Sequence, residues 1–240
     1  MNRLSIIAAL LAMAAPSFAQ EGAAAAAETV QVSSIKDPAL RPYRRMLRGL
    51  DAWEEKRGLA PNASLRFELW TAEGKPAAPE GLQLRIAGNQ VDIALPIDPD
   101  GSFVLPRSQE AWDDEADLVS NRKKDQIRWR PRVRTPGVPE HARRLGDLRL
   151  ECEVSAAVRK EEIPLLYRAG ALAAGGLCNL PMVGYVYRAP RKLASATAVA
   201  GERKLALVLH ENGEAYMAPL RDKSWDNDTL VVYEFADAKP

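Results

Sequence analysis

The spacing of apolar residues changes at Ser64. Upstream, Tyr43, Met46, Leu47, Leu50 and Trp53 recur at steps of three and four, the signature of one helical face. Downstream, Leu65, Phe67 and Leu69 alternate with Arg66 and Glu68, and Leu82, Leu84 and Ile86 alternate with Gln83 and Arg85. A period of two scatters around a helix but lines one face of a strand, so this part of the chain predicts strands with one wet side. Gly74-Lys75-Pro76, Gly88-Asn89 and Asp98-Pro99-Asp100-Gly101 cut the pattern into short pieces, and Val91, Ile93 and Leu95, then Phe103 and Leu105, resume it. Short strands at this spacing point to a sandwich or barrel.

Further strands are predicted over 183–187, 204–209, 215–220 and 229–235, after a small-residue stretch at 169–176, with Asn212-Gly213 placed as a tight hairpin turn. Asp37-Pro38 is a helix start signal, Pro42 moves the regular helix toward itself, and Gly58 and Pro61 end it. Arginines at 41, 44, 45, 48 and 57 cover its outer surface, a pattern that fits packing on a sheet or lying on a membrane. The expected fold class is therefore mainly β: a sandwich-like domain over 61–160, an N-terminal amphipathic helix over 37–60, and a smaller C-terminal β unit over 161–240, forming one domain or two.

Arg3, the apolar run at 4–15 and the small residues of Pro16-Ser17-Phe18-Ala19 have the form of a secretory signal peptide over 1–19, cleaved after Ala19, followed by an Ala-rich flexible leader over 20–36. The run is shorter than the roughly 20 apolar residues of a membrane span, so no transmembrane segment is expected in the mature chain, and no Cys follows to carry a lipid. The expected location is periplasmic or secreted. In such an oxidising compartment Cys152 and Cys178, the two cysteines of the chain, are expected to form a disulfide. Glu151 and Glu153 flank Cys152 and would raise a free thiol's pKa, which argues against a reactive cysteine.

A content of 47% hydrophobic and 27% charged residues can support a folded core, and 33 basic against 32 acidic side chains leave no global field to attract nucleic acid. His141 and His210 are isolated, so no metal is expected. Asp113, Asp114, Glu115 and Asp117 lack the glycine and terminal glutamate of a calcium loop. There is no Gly-x-Ser-x-Gly. The Ser-x-x-Lys matches at Ser33 and Ser120 lack the companion motifs of a serine acyltransferase, and Gly170–Gly176 lacks the Lys-Ser or Lys-Thr ending of a phosphate loop. No catalytic residue and no cofactor is assigned. The leading expectation is a non-enzymatic envelope protein that binds or scaffolds. A hydrolase drawing acids from 113–117 and an inhibitor or partner-binding module for an envelope enzyme are the alternatives.

The most distinctive string is Arg128-Trp129-Arg130-Pro131-Arg132-Val133-Arg134. In an extended chain Arg128, Arg130, Arg132 and Arg134 project to one side and Trp129 and Val133 to the other, while Pro131 places the segment at a sheet edge or outside the sheet. Guanidinium forks at that spacing suit carboxylates or phosphates, which makes acidic polysaccharide, anionic lipid or an envelope protein the expected partner. The competing expectation is that the arginines pair with the acidic segment 110–117 or are simply solvated. Trp70, Trp112, Trp129, Trp225, Tyr185, Tyr187 and Tyr216 could stack sugars, but core or edge packing is the more ordinary use of such residues.

Ile97-Asp98-Pro99-Asp100-Gly101-Ser102-Phe103-Val104-Leu105-Pro106, with the strand pattern before it, resembles the turn and following strand of carboxypeptidase-regulatory-like, transthyretin-like β-sandwich domains. The likeness spans about 40 residues from Leu65. Where that family has a more Gly-rich opening, this chain has only Gly74-Lys75-Pro76. The resemblance implies a sandwich of the family's kind and, since such domains are mostly non-catalytic accessories, a binding role.

Overall fold

A computed structural model describes residues 36–78, 80–181 and 184–237; the expected signal peptide over 1–19, and the leader up to residue 35, lie outside the described residues. The fold is mainly β, with fourteen strands and four helices among the described residues. Strand β1 (Pro38–Pro42) leads into helix α1 (Tyr43–Glu55), followed by β2 (Ser64–Thr71), β3 (Leu84–Ala87), β4 (Asp92–Leu95), β5 (Ser102–Phe103), α2 (Gln109–Asp113), β6 (Asp117–Lys123) and β7 (Ile127–Arg134). Then come β8 (Ala142–Arg144), α3 (Leu145–Val158), α4 (Leu165–Ala174), β9 (Val186–Arg188), β10 (Leu193–Ala200), β11 (Arg203–Ala206), β12 (Leu209–His210), β13 (Ala215–Met217) and β14 (Leu230–Phe235).

The strands form four antiparallel sheets. β1-β6-β3-β4 and β5-β2-β7 both contribute to a first core, where Ile86 and Leu118 meet Phe67, Leu69, Phe103 and Val133. β11-β10-β14-β8 and β12-β13-β9 build a second core around Tyr187, Ala198, Tyr216, Trp225 and Val231. Asp98–Gly101 is a turn, as its sequence requires, with the Gly101 N–H bonded to the Asp98 carbonyl at 2.8 Å and Gly101 at φ +77°. It links strands of different sheets, β4 to β5, instead of closing a hairpin. Asn212-Gly213 is likewise part of a longer turn between β12 and β13, in which Glu211, Asn212 and Gly213 all have positive φ. A side chain at Gly213 would lie 2.5 Å from the Leu193 carbonyl oxygen, so glycine is required there.

Helix α3 joins the two cores. Leu150, Val154 and Val158, at steps of four, belong to the first; Leu145, Leu148 and Cys152 belong to the second. The two stripes are offset by two residues, about 200° around a helix, so α3 is covered on opposite sides. On the first side it approaches α1 closely: a Cβ at Gly49 would stand 2.7 Å from Val158 Cγ2.

The remaining face of α3 is polar and buried. Glu151 accepts from Arg143 Nη2 at 2.7 Å and from the Val133 N–H at 3.1 Å, and Asp147 accepts from the Thr135 N–H and hydroxyl at 2.8 and 2.6 Å. These carboxylates occupy the outer edge of β7, where a neighbouring strand would otherwise sit, and Pro131, two residues before the bonded Val133 amide, has no N–H to satisfy. Arg149 donates to the carbonyls of Leu220, Asp222 and Trp225 and to Asn227 Oδ1, fixing the loop before β14.

The expected disulfide is present between Cys152 and Cys178. Of the described residues in 159–185 only Cys178 and Leu180 are buried, so this bond is a principal tether of the connection that carries α4. Among the described residues no helix is long and apolar enough to cross a membrane.

Two outcomes follow from this arrangement. Reducing the disulfide, or replacing both cysteines by Ala, lowers stability by about 3 kcal/mol in urea titrations, the loop entropy released by a bond of this span. Arg143→Met, which strands Glu151 as a buried charge, costs about 3–5 kcal/mol. Adding Glu151→Leu to Arg143→Met recovers only part of that loss, because the Val133 N–H is then left without its acceptor.

Candidate functional site

β7 pairs with β2 along its whole length, Arg128 opposite Trp70, Arg130 opposite Glu68, Arg132 opposite Arg66 and Arg134 opposite Ser64. This register places the four arginines on one face and turns Trp129 and Val133 to the first core, where Trp129 meets Phe103 edge-on at 6.2 Å. The four guanidinium groups nonetheless have different surroundings. Arg132 pairs with Asp100 at 2.6 Å, and Arg134 donates to the Ala142 carbonyl at 3.1 Å. Arg128 donates to the carbonyl of Ile127 at 2.9 Å, and Arg130 lies over the Trp70 ring at 5.0 Å. Neither Arg128 nor Arg130 forms an ion pair among the described residues.

The segment 110–117 is not their partner. Asp114 accepts from the amides of Gln90 and Val91, Glu115 pairs with Arg44 at 2.6 Å, and Asp113 accepts from Gln109. Asp114 thus clasps the β3–β4 turn, and no group of three metal ligands occurs among the described residues.

Arg128 and Arg130 open onto a pocket of about 590 Å³, whose walls also carry Arg41, Arg159 and Arg188. Arg41 comes from β1, Arg159 from the end of α3 and Arg188 from β9. Among the described residues five arginines therefore surround this space against a single glutamate, Glu162, on which Arg41 and Arg159 both converge. Arg188 is held from outside by Glu211. Arg128 and Arg130 are left as the cations whose charge is not matched by a carboxylate, and like charges gathered in one cleft focus its field on an anion.

The pocket's position follows from α3. Asp147, Glu151, Ser155 and Arg159 stand at steps of four on one helix face. The first two hold the edge of β7; Ser155 and Arg159 continue along that edge into the pocket wall. Because the Val133 and Thr135 amides point outward to α3, strand alternation turns the Trp129 N–H to the same edge, where Trp129 lines the pocket.

Two further groups shape its electrostatics. Trp70 Nε1 donates to Glu68 Oε1 at 2.6 Å, which fixes the indole on which Arg130 stacks. Burial pushes the Glu68 carboxyl above the usual range, against the opposing effect of the Trp70 hydrogen bond. Desolvation likewise pushes the Tyr185 phenol up to about 12, and the nearby Glu151 carboxylate adds to it, so this pocket residue stays a neutral hydroxyl at physiological pH.

No protein-family model, curated protein or solved structure matches this chain. The pocket therefore has to be interpreted from its own chemistry. Arg41, Arg159, Arg188 and Tyr185 carry no sequence signal that joins them to Arg128 and Arg130, since they lie on elements far apart in the chain. Of the candidate stacking aromatics, Tyr187, Tyr216, Trp225 and Trp70 are buried. Trp112 is exposed but covered by Arg44 at 5.0 Å.

Glu68 gives a pH test. Its folded-state pKa lies above the unfolded one, so its contribution to stability is full below about pH 4 and is lost as the pH rises through the raised value. Glu68→Gln keeps the acceptor for Trp70 and removes the buried charge. The urea midpoint of the variant is expected to exceed that of the parent near neutral pH and to converge with it in acid.

Proposed function

We propose that this is an exported, non-enzymatic envelope protein that binds an anionic ligand in the pocket beside β7. One observation carries the reading: Arg128 and Arg130, without a carboxylate partner, open onto a cleft to which three distant elements each add another arginine. The other two rungs of the ladder are committed within the protein, Arg132 to Asp100 and Arg134 to the Ala142 carbonyl, and of the four only Arg128 and Arg130 line the cleft. The ligand is a carboxylate or phosphate, the groups that planar guanidinium forks recognise in pairs. Acidic polysaccharide and anionic lipid both carry such groups. The disulfide supports a periplasmic or secreted location, because structural disulfides persist in oxidising compartments. The sandwich-like reading of the first half is supported by the single core shared by sheets β1-β6-β3-β4 and β5-β2-β7.

Titration calorimetry with inorganic phosphate, methyl phosphate and an oligogalacturonate tests the assignment. Binding is expected for at least one probe and is expected to weaken as salt is added. Arg128→Ala combined with Arg130→Ala is expected to lower affinity at least tenfold, the loss of one or two charge-assisted hydrogen bonds, with an unchanged circular dichroism spectrum. A double variant that binds like the parent, or a parent that binds none of the probes at low salt, overturns the proposal.

A further inference from the structure

A second cavity, of about 320 Å³, adjoins the arginine pocket: Ser155, Arg159, Gly184 and Tyr185 line both. Its remaining wall is of a different character. Ala156 and Cys152 come from α3, Ile163 and Tyr167 from the start of the α4 segment, and Leu177 from the turn before Cys178. Among the described residues no carboxylate lines it. Apart from Arg159, which stands at the junction, its polar side-chain groups are hydroxyls. A charged or strongly polar ligand group would lose its hydration there without finding a partner, whereas an aliphatic chain would not. The helix closing this groove also has apolar surface to spare. α4 buries none of its residues, and Leu165, Leu166 and Leu172 are 72%, 81% and 88% exposed.

We propose that the ligand is an anionic amphiphile with a single alkyl chain, its head among the guanidinium groups of Arg128, Arg130 and Arg159 and its chain in the groove of Ala156, Ile163, Tyr167 and Leu177. The inference rests on the anion-binding reading above and adds the apolar half of the ligand. Ser155 and Tyr185, shared by both cavities, stand at the boundary between head and chain. Because Tyr185 remains a neutral hydroxyl, it can donate to the head without repelling it. Cys152, one end of the disulfide, is part of the groove wall, so the bond that tethers α4 is anchored at the chain-binding surface.

Calorimetry with methyl phosphate and with octyl phosphate below its micelle concentration tests this. Each buried methylene is worth about a fourfold gain in affinity, so octyl phosphate is expected to bind at least tenfold more tightly than methyl phosphate. Ala156→Trp, which fills the groove, and Ile163→Asp, which charges it, are expected to abolish that gain and leave methyl phosphate binding in place. Arg128→Ala with Arg130→Ala is expected to weaken both ligands. Octyl glucoside, with the same chain and no charge, is expected to bind at least tenfold more weakly than octyl phosphate. Equal affinity for the two phosphates overturns the amphiphile inference and leaves the anion site standing; failure of both phosphates and of the oligogalacturonate removes both. Sedimentation with phosphatidylglycerol vesicles distinguishes a lipid headgroup read at a bilayer surface from a chain taken into the protein. Co-sedimentation that persists in both groove variants overturns the inference, and co-sedimentation or lipid uptake lost in them supports it.

Discussion

Glu151 is a charge buried between two apolar cores, and much of the structure is arranged around making that tolerable. Removing a carboxylate from water costs several kcal/mol, and attraction to one cation seldom offsets it without further hydrogen bonds. Here the pair with Arg143 is supplemented by the Val133 N–H, and Arg143 in turn donates to the Val133 carbonyl at 3.1 Å. Burial works against the charge on Arg143, but attraction and hydrogen bonding to Glu151, together with the nearby Tyr216 and Tyr233 phenols, outweigh it and hold Arg143 firmly in its charged form. The result is a specific, directional joint. It ties α3 to both the edge of β7 and the strand that immediately precedes α3, so the helix has one rotational setting about its axis. Apolar packing alone would be less selective, since both sides of α3 are greasy.

That rotational setting determines what else α3 can present. With Glu151 committed to β7, the residues one and two turns further along, Ser155 and Arg159, lie beside the open end of the same strand, where the carboxylate supply has run out. The sheet edge is satisfied by acids at one end and flanked by arginines at the other. The change of sign coincides with the change from a sealed interface to a pocket. A ligand anion entering there would continue the pattern that Asp147 and Glu151 begin, an acidic group bonded to the outward edge of β7, except that it is supplied from outside.

The parts of this design that a sequence exposes are those with a period. β2 was readable from Leu65, Phe67 and Leu69, and the arginine face of β7 from strict alternation around Trp129 and Val133. The cysteine pair was readable from its count and the oxidising compartment expected of the chain. α3 left no such trace, because Leu150, Val154 and Val158 on one side and Leu145, Leu148 and Cys152 on the other cancel as a directional signal. A helix buried twice looks like a helix without a face. The Asp98–Gly101 turn was legible as a turn, but local turn chemistry does not record which sheet the next strand joins, nor that Asp100 would neutralise Arg132. There the Asp100 carboxyl, pushed upward by desolvation, is held down to about 2 by the Ser102 hydroxyl and amide together with the Arg132 guanidinium. The pocket itself was half legible: two of its arginines stand in the ladder, and the other three reach it only through tertiary structure.

Placing the proposed binding site against a helix buried on two sides has a mechanical consequence. Rotation of α3 that withdrew Arg159 from the pocket would also pull Glu151 from Arg143, and shifting Ala156 in the groove would displace Cys152 and the disulfide. These motions carry the cost of opening a buried ion pair or a core, so the head-binding and groove walls formed by α3 are preorganised. The opposite wall, from Ile163 through α4, is held by the disulfide and little buried surface. In the proposed complex, adaptation to ligands of different chain length would fall to α4 and recognition of the anion to α3 and β7, elements of very different rigidity.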